Sequence, residues 1–219
     1  MKVLNLLTIT LLLGSVLPGV TQAEGKLAQL YAPRPPAGSA YVRVLHPADS
    51  AVTVQIGQHE PQQLGADKLA SSYNVVKGAE PFTVRIAEQT VGSLSVMPDS
   101  YQSLLLEDGK LQVLDDSAVS DDALKAELRF YNLASGCQAG QLQVEGGPTL
   151  FADVKPNTSQ ARSINPVSAS LTAGCGTRQA KALALPPLQA GDHYALILTG
   201  TANQPMLRGE LSSTAPFAR

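Results

Sequence analysis

Apolar and polar residues alternate with a period of two in short runs along most of this chain. From Ala40 to Leu45, Ala40, Val42 and Val44 point one way while Tyr41, Arg43 and Leu45 point the other, which predicts a half-buried strand. Ahead of it, Pro33, Pro35 and Pro36 stiffen a lead-in that ends at Gly38, because proline has no N–H for a central strand. The same pattern predicts strands at Val52–Ile56, Leu69–Val75, Phe82–Ile86, Thr90–Val96, Tyr101–Leu106 and Lys110–Val113. Asp108-Gly109 between the last two is a strong hairpin signal. Asp115 to Asp122 then carries four carboxylates and little to bury, which reads as a solvated linker. It lacks the register and the glycine of a calcium loop.

Beyond that segment the order of events repeats. Lys125–Leu133 matches the opening strand, with Arg129 falling 86 residues after Arg43. Leu142–Val144, Thr149–Val154, Ser159–Ile164, Val167–Thr172, Gln179–Leu185 and Ala195–Leu198 supply further strands. Asp99-Ser100-Tyr101 finds its echo in Asp192-His193-Tyr194, each leading into an apolar run. No useful length shows helical periodicity, and the 33 Gly and Pro residues fall between apolar runs, as all-β turns require. The expected fold is all-β, with two tandem, internally duplicated β-sandwich domains of immunoglobulin-like size. Their expected borders are 24–114 and 124–219, joined by a short acidic linker at 115–123.

Residues 1–23 read as an export signal instead of fold. Lys2 precedes an apolar run from Val3 to Leu13, and Thr21-Gln22-Ala23 provides small-residue cleavage after Ala23. No later run approaches the roughly 20 apolar residues of a membrane-spanning helix. The expectation is an exported, soluble protein. Without its leader the chain holds 15 Lys and Arg against 18 Asp and Glu, so a nucleic-acid partner is not indicated. Two cysteines in an exported chain predict one disulfide, Cys137 to Cys175. A reactive thiol pair or a metal site is the alternative, but no His lies near either Cys and the ligand spacings are absent.

Candidate chemistry is sparse. Ser100, His193 and Asp192 suggest a hydrolase triad, yet Ser100 lacks the glycine-flanked elbow that exposes a nucleophile. Tyr101 and Tyr194 read better as structural corners at strand entrances. His46 and His59 have no partner at metal-ligand spacing, no nucleotide-binding motif occurs, and neither metal nor cofactor is expected. With no Trp and ten other aromatic residues, an obvious platform for sugars is missing. Arg43, Arg85 and Arg129 sit in strands beside apolar neighbours, where arginine ordinarily lays its stem on the sheet and keeps its head in water. The sharper reading makes Arg43 and Arg129, with Tyr31 and Arg34 of the lead-in, candidate contacts to a partner or a carboxylated polymer.

The run Leu30-Tyr31-x-Pro33-x2-Pro36-x-Gly38-Ser39-Ala40-x-Val42-Arg43, with Asp99-Ser100-Tyr101, Ile164-Asn165-Pro166-Val167 and a late strand ending Leu198-Thr199-Gly200, resembles the AlgF family. These are scattered β-protein motifs spread over most of the chain, not a catalytic signature. The resemblance implies a non-catalytic periplasmic adaptor in O-acetylation of an exopolysaccharide, alginate first. Its implied partners are the periplasmic and membrane-bound O-acetyltransferase proteins, and the polymer itself. The same role in cellulose acetylation, or a carbohydrate-binding module, is the alternative. No catalytic residue is carried over from the family.

Overall fold

The computed structural model describes residues 35–120 and 122–217, which form strands, turns and loops without a helix. The leader at 1–23 and the candidate contacts Tyr31 and Arg34 lie outside the described residues. In the first half the strands are β1 (Ser39–Leu45), β2 (Val52–Ile56), β3 (Gln62–Leu64), β4 (Asn74–Lys77), β5 (Phe82–Ile86), β6 (Gln89–Leu94), β7 (Tyr101–Glu107) and β8 (Lys110–Asp115). The second half carries β9 (Ala126–Asn132), β10 (Gly140–Val144), β11 (Thr149–Val154), β12 (Thr158–Ile164) and β13 (Ser170–Cys175). It ends with β14 (Arg178–Gln179), β15 (Leu183–Ala184), β16 (His193–Thr201) and β17 (Gln204–Leu211).

Each half is a pair of sheets in the same strand order. The first half has β4-β1-β7-β8 and β3-β2-β5-β6; the second has β12-β9-β16-β17 and β11-β10-β13-β14, with β15 also on β13. In both, the central pair is parallel, β1 with β7 and β9 with β16, and its outer neighbours are antiparallel. Two strands escape the alternation pattern. β3 is short and polar, and β17 contains Pro205, which is tolerated because β17 pairs on one side only. The strand expected at Leu69–Val75 starts at Asn74, because Leu69 and Ser71 bond the end of β1 singly instead of in a ladder.

Three apolar clusters hold the sheets. Ala40, Val42, Val44, Val84 and Leu104 fill the first sandwich, and Leu128, Phe130, Leu142, Leu171 and Leu196 fill the second. A third cluster, with Leu45, Leu105, Leu114, Tyr131, Leu133 and Ile197, joins them. The sheets therefore stack in four layers, with β4-β1-β7-β8 facing β12-β9-β16-β17 across a seam. This corrects the half-buried reading of the opening strand. Leu45 is as closed to solvent as Val44, because the second sandwich covers the face that alternation assigns to water. β9 is buried at every position for the same reason.

Asp108 and Gly109 both take positive φ, 50° and 72°, the left-handed pair that a two-residue hairpin turn requires between β7 and β8. Cys137 and Cys175 are joined by a disulfide with Cα atoms 5.6 Å apart, tying the loop after β9 to the end of β13. Closing a loop of 38 residues stabilises the fold by up to about 4 kcal/mol in the chain-entropy model. Replacing both cysteines by alanine is expected to lower the unfolding free energy by about 2–4 kcal/mol. A denaturant titration checks this, and an unchanged midpoint would show that the bridge leaves the unfolded chain unconstrained.

Candidate functional site

The densest polar chemistry lies in the seam. Arg43 sits in the middle of β1 with its side chain on the face opposite Val42 and Val44, and 1% of it is exposed. Its Nε donates to Ser103 Oγ at 2.8 Å and its Nη1 to Ser212 Oγ at 3.0 Å. Its Nη2 donates to Tyr131 Oη at 2.7 Å and to Asp116 Oδ2 at 3.5 Å. The guanidinium carbon also lies 4.5 Å from the centre of the Tyr73 ring, a cation–π distance.

Asp116, directly after β8, is the common acceptor. Its Oδ2 accepts from Tyr73 Oη at 2.7 Å and from Ser103 Oγ, and its Oδ1 accepts from Tyr131 Oη at 2.6 Å. Arg129 approaches from β9, with Nε 3.9 Å from Asp116 Oδ1. Its Nη2 donates to Glu127 Oε1 at 2.9 Å and to the carbonyls of Asp116 and Ser117 at 3.1 and 2.6 Å. Glu127 Oε2 accepts the Val119 N–H at 3.0 Å, and His193 Nδ1 stands 3.6 Å from Glu127 Oε1. Two arginines and two carboxylates thus close on themselves, with phenol and serine hydroxyls filling the remaining sites.

Several expectations give way here. Arg43 and Arg129 do not keep their heads in water, because the facing sheet buries both, although each lines the cleft described below. Asp116 is not solvated as the linker reading of 115–123 requires, because Arg129 gathers the backbone of that segment and Arg43 takes its carboxylate. Arg85, by contrast, is exposed and bonds the Glu88 carbonyl at 2.9 Å. Tyr101 and Tyr194 hold their strand entrances by ring packing. Tyr101 stacks on Tyr41 with centroids 4.3 Å apart, and Tyr194 lies where a side chain at Gly209 would stand. No hydroxyl-to-backbone bond from either is present among the described residues, so the corner is aromatic instead of hydrogen-bonded. The triad candidates make their bonds elsewhere: Ser100 Oγ donates to the Met97 carbonyl at 2.6 Å, and Asp192 Oδ2 accepts the Gln189 N–H at 2.7 Å.

Sequence reading misses Asp116, Tyr73, Tyr131, Ser103 and Glu127 as members of one site. Only the pairing of Glu127 with Arg129, both on one face of β9, carries a local signal. A cleft of about 260 Å³ reaches the network itself: Arg43, Tyr73, Asp116 and Arg129 line it together with Glu127 and His193. Among the described residues no group of three His, Cys, Asp or Glu side chains could hold a metal ion.

Burial works against the Arg43 charge, but the Tyr131 and Tyr73 oxygens and the Asp116 carboxylate outweigh it, so its pKa lies above the usual arginine range. Burial likewise lifts the Tyr73 and Tyr131 phenols well out of their ordinary range, keeping them neutral donors. Burial raises Glu127, yet the bonds from His193 and Val119 and the charge of Arg129 win and hold it below the ordinary carboxylate range. The Ser117 hydroxyl chiefly lowers Asp115. Burial raises Glu210 despite nearby Arg43.

Paired sheets stacked about a closed ion network define a multi-sheet β-sandwich protein, with no helix among the described residues long and apolar enough to cross a membrane. The chain belongs to the alginate O-acetyl transferase AlgF family, whose family model matches residues 11–195. It is similar to the alginate biosynthesis protein AlgF of Pseudomonas aeruginosa, 27% identical over 83% of this chain and 82% of the relative. The AlgF protein of Azotobacter vinelandii is 29% identical over 84% of this chain and 82% of its own. Among solved structures, the C-terminal domain of AlgF from P. aeruginosa aligns with 40% of this chain and 98% of that domain, at 27% identity and a TM-score of 0.35.

Removing the shared acceptor leaves two arginines facing each other in the seam. Asp116→Ala is therefore expected to cost about 3–5 kcal/mol, against about 1 kcal/mol for Tyr73→Phe. Chemical denaturation of both variants checks the ranking, and equal losses would contradict a common acceptor. Acid adds a second test. Because the folded Glu127 pKa is depressed, its contribution is complete above the free-glutamate value of about 4.3 and is lost as pH falls through the lowered folded value. Glu210 runs oppositely, favouring the fold at low pH. The difference in unfolding free energy between the protein and Glu127→Gln is expected to shrink as pH falls below about 4.

Proposed function

We propose that this chain is a non-catalytic periplasmic adaptor for O-acetylation of an exopolysaccharide, alginate first, holding the acetyltransferase proteins to one another or to the polymer. One observation carries the reading. The polar cluster of the seam has its charges and hydroxyls bonded chiefly to one another, which supports a role in joining two sandwiches into one scaffold. The names of the family and of the relatives support a role in alginate acetylation. A rigid double sandwich offers several sheet faces and edges at fixed spacing, which suits a protein that positions other proteins. The borders 24–114 and 124–219 belong to this proposal as tandem copies of one unit, supported by the repeated strand order.

The gene deleted and then restored provides the test. Polymer acetyl content is expected to be lost on deletion and regained with the wild-type chain or with His193→Ala. Acetyl-ester hydrolysis by the purified chain that disappears in Ser100→Ala or His193→Ala would overturn the non-catalytic reading. Intact acetylation after deletion would overturn the pathway.

A further inference from the structure

Away from the charged cleft, a groove of about 600 Å³ also crosses the line between the two sandwiches. Val52, Ile86, Val91 and Leu106 come to it from the first sandwich, and Leu133 and Met206 from the second. Met206 is 41% exposed, so an apolar side chain stands in water beside partly covered neighbours. Such a strip costs solvation in the free protein and is relieved when another apolar surface covers it.

The rim determines what kind of surface that is. Asp49, Glu107 and Asp108 border the groove, and neither Lys nor Arg is among its described lining residues. Asp49 is neutralised by Arg208 at 2.5 Å. Glu107 accepts a bond from a neutral amide, Asn157 Nδ2 at 2.7 Å, with Lys110 opposite it in the ladder, and neither Glu107 nor Asp108 has an ion pair among the described residues. Asp108 and Gly109 are the two turn residues of the β7–β8 hairpin, so the carboxylate at the tip is presented by a fixed turn, not a loose loop. An acidic rim over an apolar floor excludes acidic segments by like-charge repulsion and favours basic ones.

We infer that this groove docks a segment of a partner protein whose apolar side chains are flanked by Lys or Arg. The inference rests on the adaptor reading and assigns it a surface. Because both sandwiches contribute walls, the surface depends on the seam whose geometry the ion network specifies, so Asp116 acts on docking without touching the partner.

Two titrations separate the groove from the adaptor role. The full chain is first titrated with a synthetic peptide of alternating leucine and lysine, and with its leucine–glutamate counterpart, following fluorescence anisotropy. Binding of the lysine peptide alone is expected, weakened about tenfold by Met206→Glu and a few-fold by Asp108→Asn. Asparagine suits the same turn, and both positions are exposed, so unchanged melting temperatures are expected for the two variants. Asp108→Asn is also expected to reduce the salt dependence of binding, whereas Arg85→Ala, outside the groove, changes nothing. Equal binding of both peptides, or affinity indifferent to Met206→Glu, overturns the groove. The second titration uses the purified periplasmic acetyltransferase proteins of the same cells. Their capture by the wild type and about tenfold weaker capture by Met206→Glu are expected. Capture untouched by the groove variants overturns the groove and leaves the adaptor standing; no capture by the wild type, with the peptide result intact, overturns the adaptor alone.

Discussion

The Asp116 carboxylate is the constraint on which the seam depends. Taking Arg43 and Arg129 out of water costs several kcal/mol per ion, and attraction to one carboxylate offsets this only with full hydrogen bonding. Here Tyr73, Tyr131 and Ser103 occupy the Asp116 oxygens beside the arginines, and Glu127 balances the second cation. The network is then close to neutral in energy and strongly selective in geometry. Net attraction across the seam comes from the apolar cluster of Leu45, Leu105, Leu114, Leu133 and Ile197, each burial contributing on the order of 2 kcal/mol. The ion network specifies which surfaces meet; the leucines make the meeting favourable.

That division of labour explains the character of the candidate site. Its donors are matched to internal acceptors, and the same residues form one wall of the neighbouring cleft. The half-exposed residues lie at its margin, with His193 held by Glu127 and Tyr101 stacked on Tyr41. The C-terminal stretch adds a second tie, since the Tyr73 N–H donates to the Ser213 carbonyl and Ala215 returns a bond to Tyr73. The C-terminal stretch of the second half therefore reaches the first.

Strands were readable wherever the alternation was strong. β1, β2, β5, β7, β9 and β11 stand within a residue or two of the pattern, and Asp108-Gly109 makes the turn that its chemistry requires. Two cysteines, read with an expected export signal, sufficed for the Cys137–Cys175 bridge. β3 and β17 were not readable, because a three-residue polar strand and a proline-bearing edge strand are held by their neighbours instead of by their own pattern. Arg43 was singled out by its place in β1, but its hydrogen-bond partners lie 60 to 169 residues away, beyond any local rule.

By itself the sequence determined an all-β chain of short strands, since alternation and turn chemistry are local properties. It also marked the two strand arginines as unusual. Only the tertiary structure decided what those arginines do. Alternation tells which residues share a face, not what covers that face, and for β1 and β9 the cover is the other half of the molecule. Once that second sheet is in place, Arg43 and Arg129 turn from surface contacts into the buried cations that gather Asp116 from the acidic stretch between the halves.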